Sequence, residues 1–429
     1  MRRIKMAFGK EGLWVTLPDG LDATIIEPRY IPGIVDEAQA IRNAIRHPIN
    51  SLPLHELVRP KDRAAIVFSD ITRPMPNDRV LPILLDELEK AGVLSTNITL
   101  INGLATHRRQ TSDELDQMLG KAITEKYRIL QHDAWDQSNL VPVTSNNCGR
   151  MVKVNRLYLE ADIRILTGFI EPHFFAGFSG GPKAVLPGIA DAEAVLDNHN
   201  AQNISSPNAT WGITTGNPIW EEMYKVAAST QPTFLLNVTL NREKQITGVF
   251  AGNLNEAHKE GISFVRQHAM QPVPHAFDLV ITSNSGYPLD LNLYQAVKGM
   301  SCAAQIVKPG GDIIIAADCW DGLPSHGKYA ELLTMANSPE GLLDRILTPG
   351  FRSFDQWQVQ IQAQIQLKAN VHVYSKGLTP EQITNARLLP CISIEDTLAR
   401  LIEQKPSLSV AILPEGPQTI PYFQSMEQS

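Results

Sequence analysis

Cysteine is scarce in this chain: Cys148, Cys302, Cys319 and Cys391 are the only four in 429 residues, and no two stand in a CxxC spacing. That excludes a zinc knuckle and a disulfide framework, and leaves thiols expected to be buried as small apolar groups. Positive charge is also short. A net charge of −7 leaves no basic stripe of the kind that holds nucleic acid, so no nucleic-acid partner is expected. Long apolar runs are missing, since none approaches the roughly 18 residues of a membrane span. The stretch KMAFGKEGLWVTLP after Arg2 and Arg3 has no signal-peptide core. No membrane partner is expected, and the cytoplasm is the expected location. Internal repeats and low-complexity segments are absent as well.

What is present is apolar content of 43%, enough for more than one core at the usual domain size of about 100 to 200 residues. Short apolar runs alternate with longer helical patterns, the mark of parallel sheets with crossover helices. Strands are expected at 64–68, 97–101, 163–166, 234–240 and 245–250, with helices at 79–91 and 111–119. Glu114 stands three residues after Thr111, as a capping box requires. The Pro-rich QPVPH at 271–275 reads as a joint. Beyond it, strands are expected at 279–282, 313–316, 371–374 and 410–413, and helices at 292–308, 339–346, 357–367 and 393–404. The expected fold is α/β, two domains each with a mainly parallel sheet flanked by helices, the active site in the cleft between them. The domains are placed at 1–272 and 277–410, with a tail, 411–429, packing back on the first.

Within this frame one run concentrates chemistry: Gly168 to Ala190, GFIEPHFFAGFSGGPKAVLPGIA. His173 offers an imidazole, Lys183 an amine, and the glycines let backbone approach a ligand. It is not a nucleotide P-loop, because Pro182 separates Gly181 from Lys183 and Ala184 occupies the magnesium-binding position. The polar clusters SDITRP, NGLATHRR, GFIEPHFF and SNSGYPLD each follow an expected strand, and open parallel sheets bind ligands at the carboxyl ends of strands. Asp70 and Arg73 lie in the first, where the guanidinium suits a carboxylate or phosphate; a plain surface pair is the competing reading. His107 lies in the second, and a solvated loop histidine is its alternative. His173 sits among aromatics as either a base or a core histidine. His199, in DNHN, is a helix cap or a metal ligand. Gln295 and Lys298 share a helix face after Tyr294, and Trp357 is core or pocket wall.

Taken together these motifs resemble the nickel-pincer lactate racemase family, whose members interconvert stereoisomers of 2-hydroxy acids. The resemblance runs from SDITRPMP through the long glycine loop and DNH to SNSGYPLDLNLYQAVKGM and DQWQ. It implies that His107 and His173 are the acid/base pair, and that Asp70, Ile71, Thr72 and Arg73 contact the cofactor. Lys183 is implied to carry that cofactor covalently, and His199 to ligate nickel. Arg73, Tyr294, Gln295, Lys298 and Trp357 would bind substrate. The implied cofactor is the nickel(II) pyridinium-3,5-bisthiocarboxylic acid mononucleotide; the implied partners are a small 2-hydroxy acid and, transiently, the proteins that make the cofactor and insert nickel.

The implied activity is a racemase or epimerase of a lactate-like 2-hydroxy acid acting by reversible proton-coupled hydride transfer. Removing Cα–H as a proton is hard beside a carboxylate, which resists a second negative charge, and moving hydride avoids that. Two opposed bases are then needed, one per enantiomer. The competing reading is a zinc-dependent hydrolase or lyase with His107, His173 and His199 as ligands. A third is a non-enzymatic binder of an acidic metabolite.

Overall fold

The structure is a computed structural model that describes residues 2–324 and 327–423. The chain divides into two compact units. The first holds Tyr30–His199 and Ile213–Arg266, and the second holds Met1–Arg29, Asn200–Gly212 and Gln267–Ser429.

The first unit is built on a six-stranded sheet in the order Ile246–Gly252, Phe234–Leu240, Ile163–Phe169, Ala64–Ser69, Ile98–Gly103, Arg128–Gln131. All neighbours are parallel except the first pair, which is an antiparallel hairpin. The central strands are continuous apolar runs because helices cover both faces: every residue of Ala64–Phe68 is buried. Helix Asn77–Lys90 lays Val80, Leu81, Leu84, Leu85 and Leu88 into the core on one side, the spacing of a single helical face. Helix Ser112–Leu119 starts at the expected capping box of Thr111 and Glu114.

The second unit carries a six-stranded, fully parallel sheet in the order Leu389–Pro390, Ala369–Tyr374, Val307–Ala316, Phe277–Ser283, Val410–Leu413, Ala23–Ile25. A hairpin, Arg2–Met6 with Leu13–Leu17, adds Ile4, Met6, Val15 and Leu17 to this unit's core. Helix Leu293–Ala304 follows Phe277–Ser283 and is capped by Asn292, whose side chain accepts from Gln295 N–H.

Several expectations need correction. Residues 2–29, assigned by sequence to the N-terminal domain, belong to the second unit; Ala23–Ile25 is that unit's edge strand, paired with Val410–Leu413. The expected joint at 271–275 overlaps a strand, Met270–Val273, which pairs with Ile420–Phe423. The tail therefore begins inside a strand of the second sheet and groups with the second unit; residues 424–429 of it lie outside the described residues. The helix expected over 292–308 ends at Ala304, and Val307 and Lys308 open the next strand. Cys148 is exposed, while the other three cysteines are buried as expected.

Candidate active site

In the first unit, three polar loops leave the carboxyl ends of adjacent strands and enclose one cavity. Its lining includes Ser69, Asp70 and Arg73 after Ala64–Ser69, Leu104, Ala105 and His107 after Ile98–Gly103, and Ser179, Gly180 and Lys183 after Ile163–Phe169. Ile71 and Thr72 are exposed and stand outside that lining.

Asp70 anchors the site. Its carboxylate is buried; Oδ1 accepts from Thr72 Oγ1 at 2.7 Å, and Oδ2 meets His107 Nδ1 at 2.5 Å. Burial alone would raise this carboxyl, but the His107 hydrogen bond, the His107 and Arg73 charges and the Thr72 bond outweigh it, and the pKa is lowered. An ionised Asp70 accepts a hydrogen bond from Nδ1–H, which leaves the Nε2 lone pair of His107 as the available base. The ring of His107 is itself part-exposed.

The lysine loop is held by glycine geometry and two residues that sequence reasoning missed. Gly180 and Gly181 have φ of 76° and 50°, a region where a side chain is strained. Asn237, buried in Phe234–Leu240, accepts from Gly181 N–H through Oδ1 at 2.8 Å. His258 donates through Nε2 to Ser179 O at 2.9 Å, and a Cβ on Gly181 would come within 2.5 Å of its ring. The available signal for Asn237 was a lone amide within the apolar strand FLLNVTL.

Phe175 brings the remaining candidates together. The Lys183 ammonium lies 5.7 Å from its ring centre, His173 packs on it at 4.5 Å and His199 edge-on at 4.9 Å. His173 is buried, and its Nδ1 accepts from Ala176 N–H at 3.3 Å, so the proton of the neutral ring sits on Nε2. His199 closes helix Ala192–Asn198. Burial first, and the Lys183 charge second, push its imidazole down to about 3. The helix is tied at both ends by Arg150, which bonds Asp191 Oδ1 at 3.1 Å and Asp197 Oδ2 at 2.6 Å.

The second unit assembles the other candidates around one helix. Tyr294, Gln295 and Lys298 are half-buried on Leu293–Ala304. Trp357, on helix Gln356–Lys368, donates through Nε1 to Tyr294 Oη at 3.2 Å, and the neighbouring Gln358 amide donates to Tyr294 O.

The donor set suits the cofactor that the resemblance implies. A metal needs a neutral imidazole, and His199 is held in that form; a covalent anchor needs an amine, and Lys183 lines the cavity. Gly103, Gly168, Gly180 and Gly188 line it too, so ligand can approach backbone closely. The zinc reading fares worse, because among the described residues no three His, Cys, Asp or Glu side chains are gathered to hold an ion.

Comparison with known proteins gives the family. Residues 8–212 match the lactate racemase N-terminal domain and residues 273–420 the lactate racemase C-terminal domain. The chain belongs to the lactate racemase family. It is 34% identical to a lactate racemase of Thermoanaerobacterium thermosaccharolyticum over 98% of this chain and 99% of that one. A lactate racemase of Lactiplantibacillus plantarum is 36% identical over 89% of this chain and 90% of its own. The structure of the T. thermosaccharolyticum lactate racemase apoprotein superposes with a TM-score of 0.92 at 32% identity, covering 98% of this chain and all of that one. A Thermotoga maritima protein at 16% identity and a TM-score of 0.63, over 90% of this chain and 97% of its own, shares the fold. Membership of the family makes the chain an isomerase of the racemase type. Among the described residues, no helix is long and apolar enough to cross a membrane.

Proposed function

We propose that this protein racemises or epimerises a lactate-like 2-hydroxy acid by moving the Cα hydrogen as hydride while histidines handle the hydroxyl proton. The observation that carries the reading is the single cavity lined by Asp70, Arg73, His107 and Lys183, in a chain that matches lactate racemases along almost its whole length. Lys183 would tether the nickel-pincer nucleotide, with His199 ligating the metal and the Asp70–Arg73 loop against the nucleotide. When bound, that group supplies the acceptor and donor of the hydrogen and electron pair that leave Cα and return to it.

The rest is work for side chains. Arg73 holds the substrate carboxylate by its planar fork. His107, with Nδ1 bonded to Asp70, takes the hydroxyl proton of one enantiomer at Nε2. His173, with its proton on Nε2, returns one to the oxygen of the other, and the roles reverse in the opposite direction. A keto acid that turns about its anchored carboxylate can thus be reduced on either face. Tyr294, Gln295, Lys298 and Trp357, which the second unit supplies, would orient the substrate. The protein would act in the cytoplasm and meet cofactor-making and nickel-inserting proteins transiently.

The test incubates cofactor-loaded protein with single enantiomers of lactate, malate, phenyllactate and aldonic acids and follows optical activity. Loss of rotation with at least one acid is expected. Unchanged rotation with all of them rejects the reading, and zinc bound without a sulfur chromophore would revive the hydrolase alternative.

A further inference from the structure

The second unit has a cavity of its own that the racemase reading leaves unused. It is about 570 Å³, lined by Phe8, Gly9, Lys10, Glu11, Gly12, Tyr287, Asp318, Trp320 and Lys376, a volume in the range of small-ligand sites. These residues come from the turn of the Arg2–Leu17 hairpin and from loops that leave Phe277–Ser283, Val307–Ala316 and Ala369–Tyr374. It is therefore at the carboxyl ends of three neighbouring parallel strands, where α/β sheets bind ligands.

The frame is rigid. Asp290 is fully buried, and its Oδ2 accepts from Gly9 N–H at 2.7 Å and Asp318 N–H at 3.1 Å. Tyr287 N–H bonds Gly9 O at 2.8 Å, and Gly377 N–H bonds Asp318 O at 2.8 Å. Ser285 and Cys319 hold φ of 62° and 52°, strain that persists only where surroundings enforce it. Against this frame the lining groups are under-used. Tyr287 and Trp320 pack together at 6.1 Å yet remain 49% and 55% exposed. The Lys10 ammonium rests 4.7 Å over the Tyr287 ring and the Lys376 ammonium 5.3 Å over Phe8. Among the described residues neither lysine pairs with a carboxylate, although Glu11 and Asp318 line the same cavity.

We propose that this cavity binds a nucleoside monophosphate. The exposed indole and phenol offer a stacking platform for a planar base, a contact indifferent to which base is present. Two ammoniums without counter-ions suit a phosphate dianion, and the Asp318 and Glu11 carboxylates suit ribose hydroxyls, the pairing used in dinucleotide sites. Each chemical part of such a ligand has a matching group here, the Trp320 indole exposed for stacking beside the ammoniums over Tyr287 and Phe8, whereas a simple anion would leave the aromatic platform idle.

Isothermal titration of the full chain with adenosine monophosphate tests this, with adenosine and inorganic phosphate as separate arms. Saturable binding of the nucleotide is expected, with adenosine and phosphate each weaker by at least about tenfold. Trp320→Ala, and separately Lys10→Ala with Lys376→Ala, should weaken it by a similar factor, and all of these side chains are on the surface. Lys183→Ala should leave it unchanged. Absence of binding overturns the proposal. So does binding that survives both sets of substitutions, that is lost with Lys183→Ala, or that phosphate alone matches.

Discussion

The two units carry their functional residues in opposite styles. In the first, charges are buried and partnered: Asp70 is satisfied by Thr72 and His107, and His199 is enclosed and neutral beside Lys183. In the second, the carboxyl ends of the sheet present half-buried or exposed groups, Tyr294, Gln295 and Lys298 on a helix and Tyr287 and Trp320 around an open cavity. Burial tunes proton affinity and fixes geometry, which suits groups that react. Exposure suits groups that recognise. On the proposed function the reacting groups all come from the first unit, together with Arg73, and the second unit supplies recognition alone.

The division can be broken from its strongest point downward. Lys183→Ala should abolish racemisation and remove the cofactor mass from the intact protein; a variant that retains the mass would take the anchor away from the first unit. Asp70→Asn should lower kcat by about 10²- to 10⁴-fold, the usual worth of a positioned acid/base group, and has a stability signature as well. Because the folded pKa of Asp70 is depressed, its stabilising contribution is present above the ordinary carboxylate pKa and lost as pH falls through the folded value. Thermal melting should show wild type above the variant near neutrality and the two converging in acid. A gap independent of pH would mean that Asp70 acts by shape alone.

Smaller effects are expected in the second unit. Trp357→Phe removes the donor to Tyr294 and should raise KM more than it lowers kcat, by about tenfold or less. A kcat loss as large as that of Asp70→Asn would erase the distinction between the units. Asp290→Asn should change stability least, within about 1.5 kcal/mol. Burial raises the Asp290 carboxyl despite its bonds from Gly9 and Asp318 N–H, so wild type gains stability as pH falls from neutrality through that raised value, and the amide does not. Denaturant titrations at two pH values measure this.

Much of the first unit was legible from sequence because its signals are local. Strands such as Ala64–Ser69 are unbroken apolar runs, the Thr111 and Glu114 capping box spans four residues, and each chemical motif directly follows its strand. The second unit was harder. Helix Gln356–Lys368 buries Gln358, Gln360 and Gln362 completely, so no polar face marks its packing. Their amides instead bond Tyr294 O, Ala201 O and Ala386 O, partners remote in sequence. The hairpin Arg2–Leu17 and strand Ala23–Ile25 were not expected as strands, and their residues were assigned to the first domain, because nothing local marks the core they serve. Of the site, the side chains with chemistry were readable. Asn237, His258 and Arg150, which hold the loops and the His199 helix, were not, because their partners are backbone groups and carboxylates brought near only by the fold.

The edge strand Ala23–Ile25 ties the start of the chain to Val410–Leu413 near its end. A ribosome makes the chain in order, so these early residues wait for almost the whole of synthesis before their neighbour exists, while the unit with Lys183 is complete once Arg266 has emerged. The first unit can settle first, and the second is finished last. Premature termination would thus release chains with a formed lysine loop and an unpaired strand edge, a species prone to aggregate.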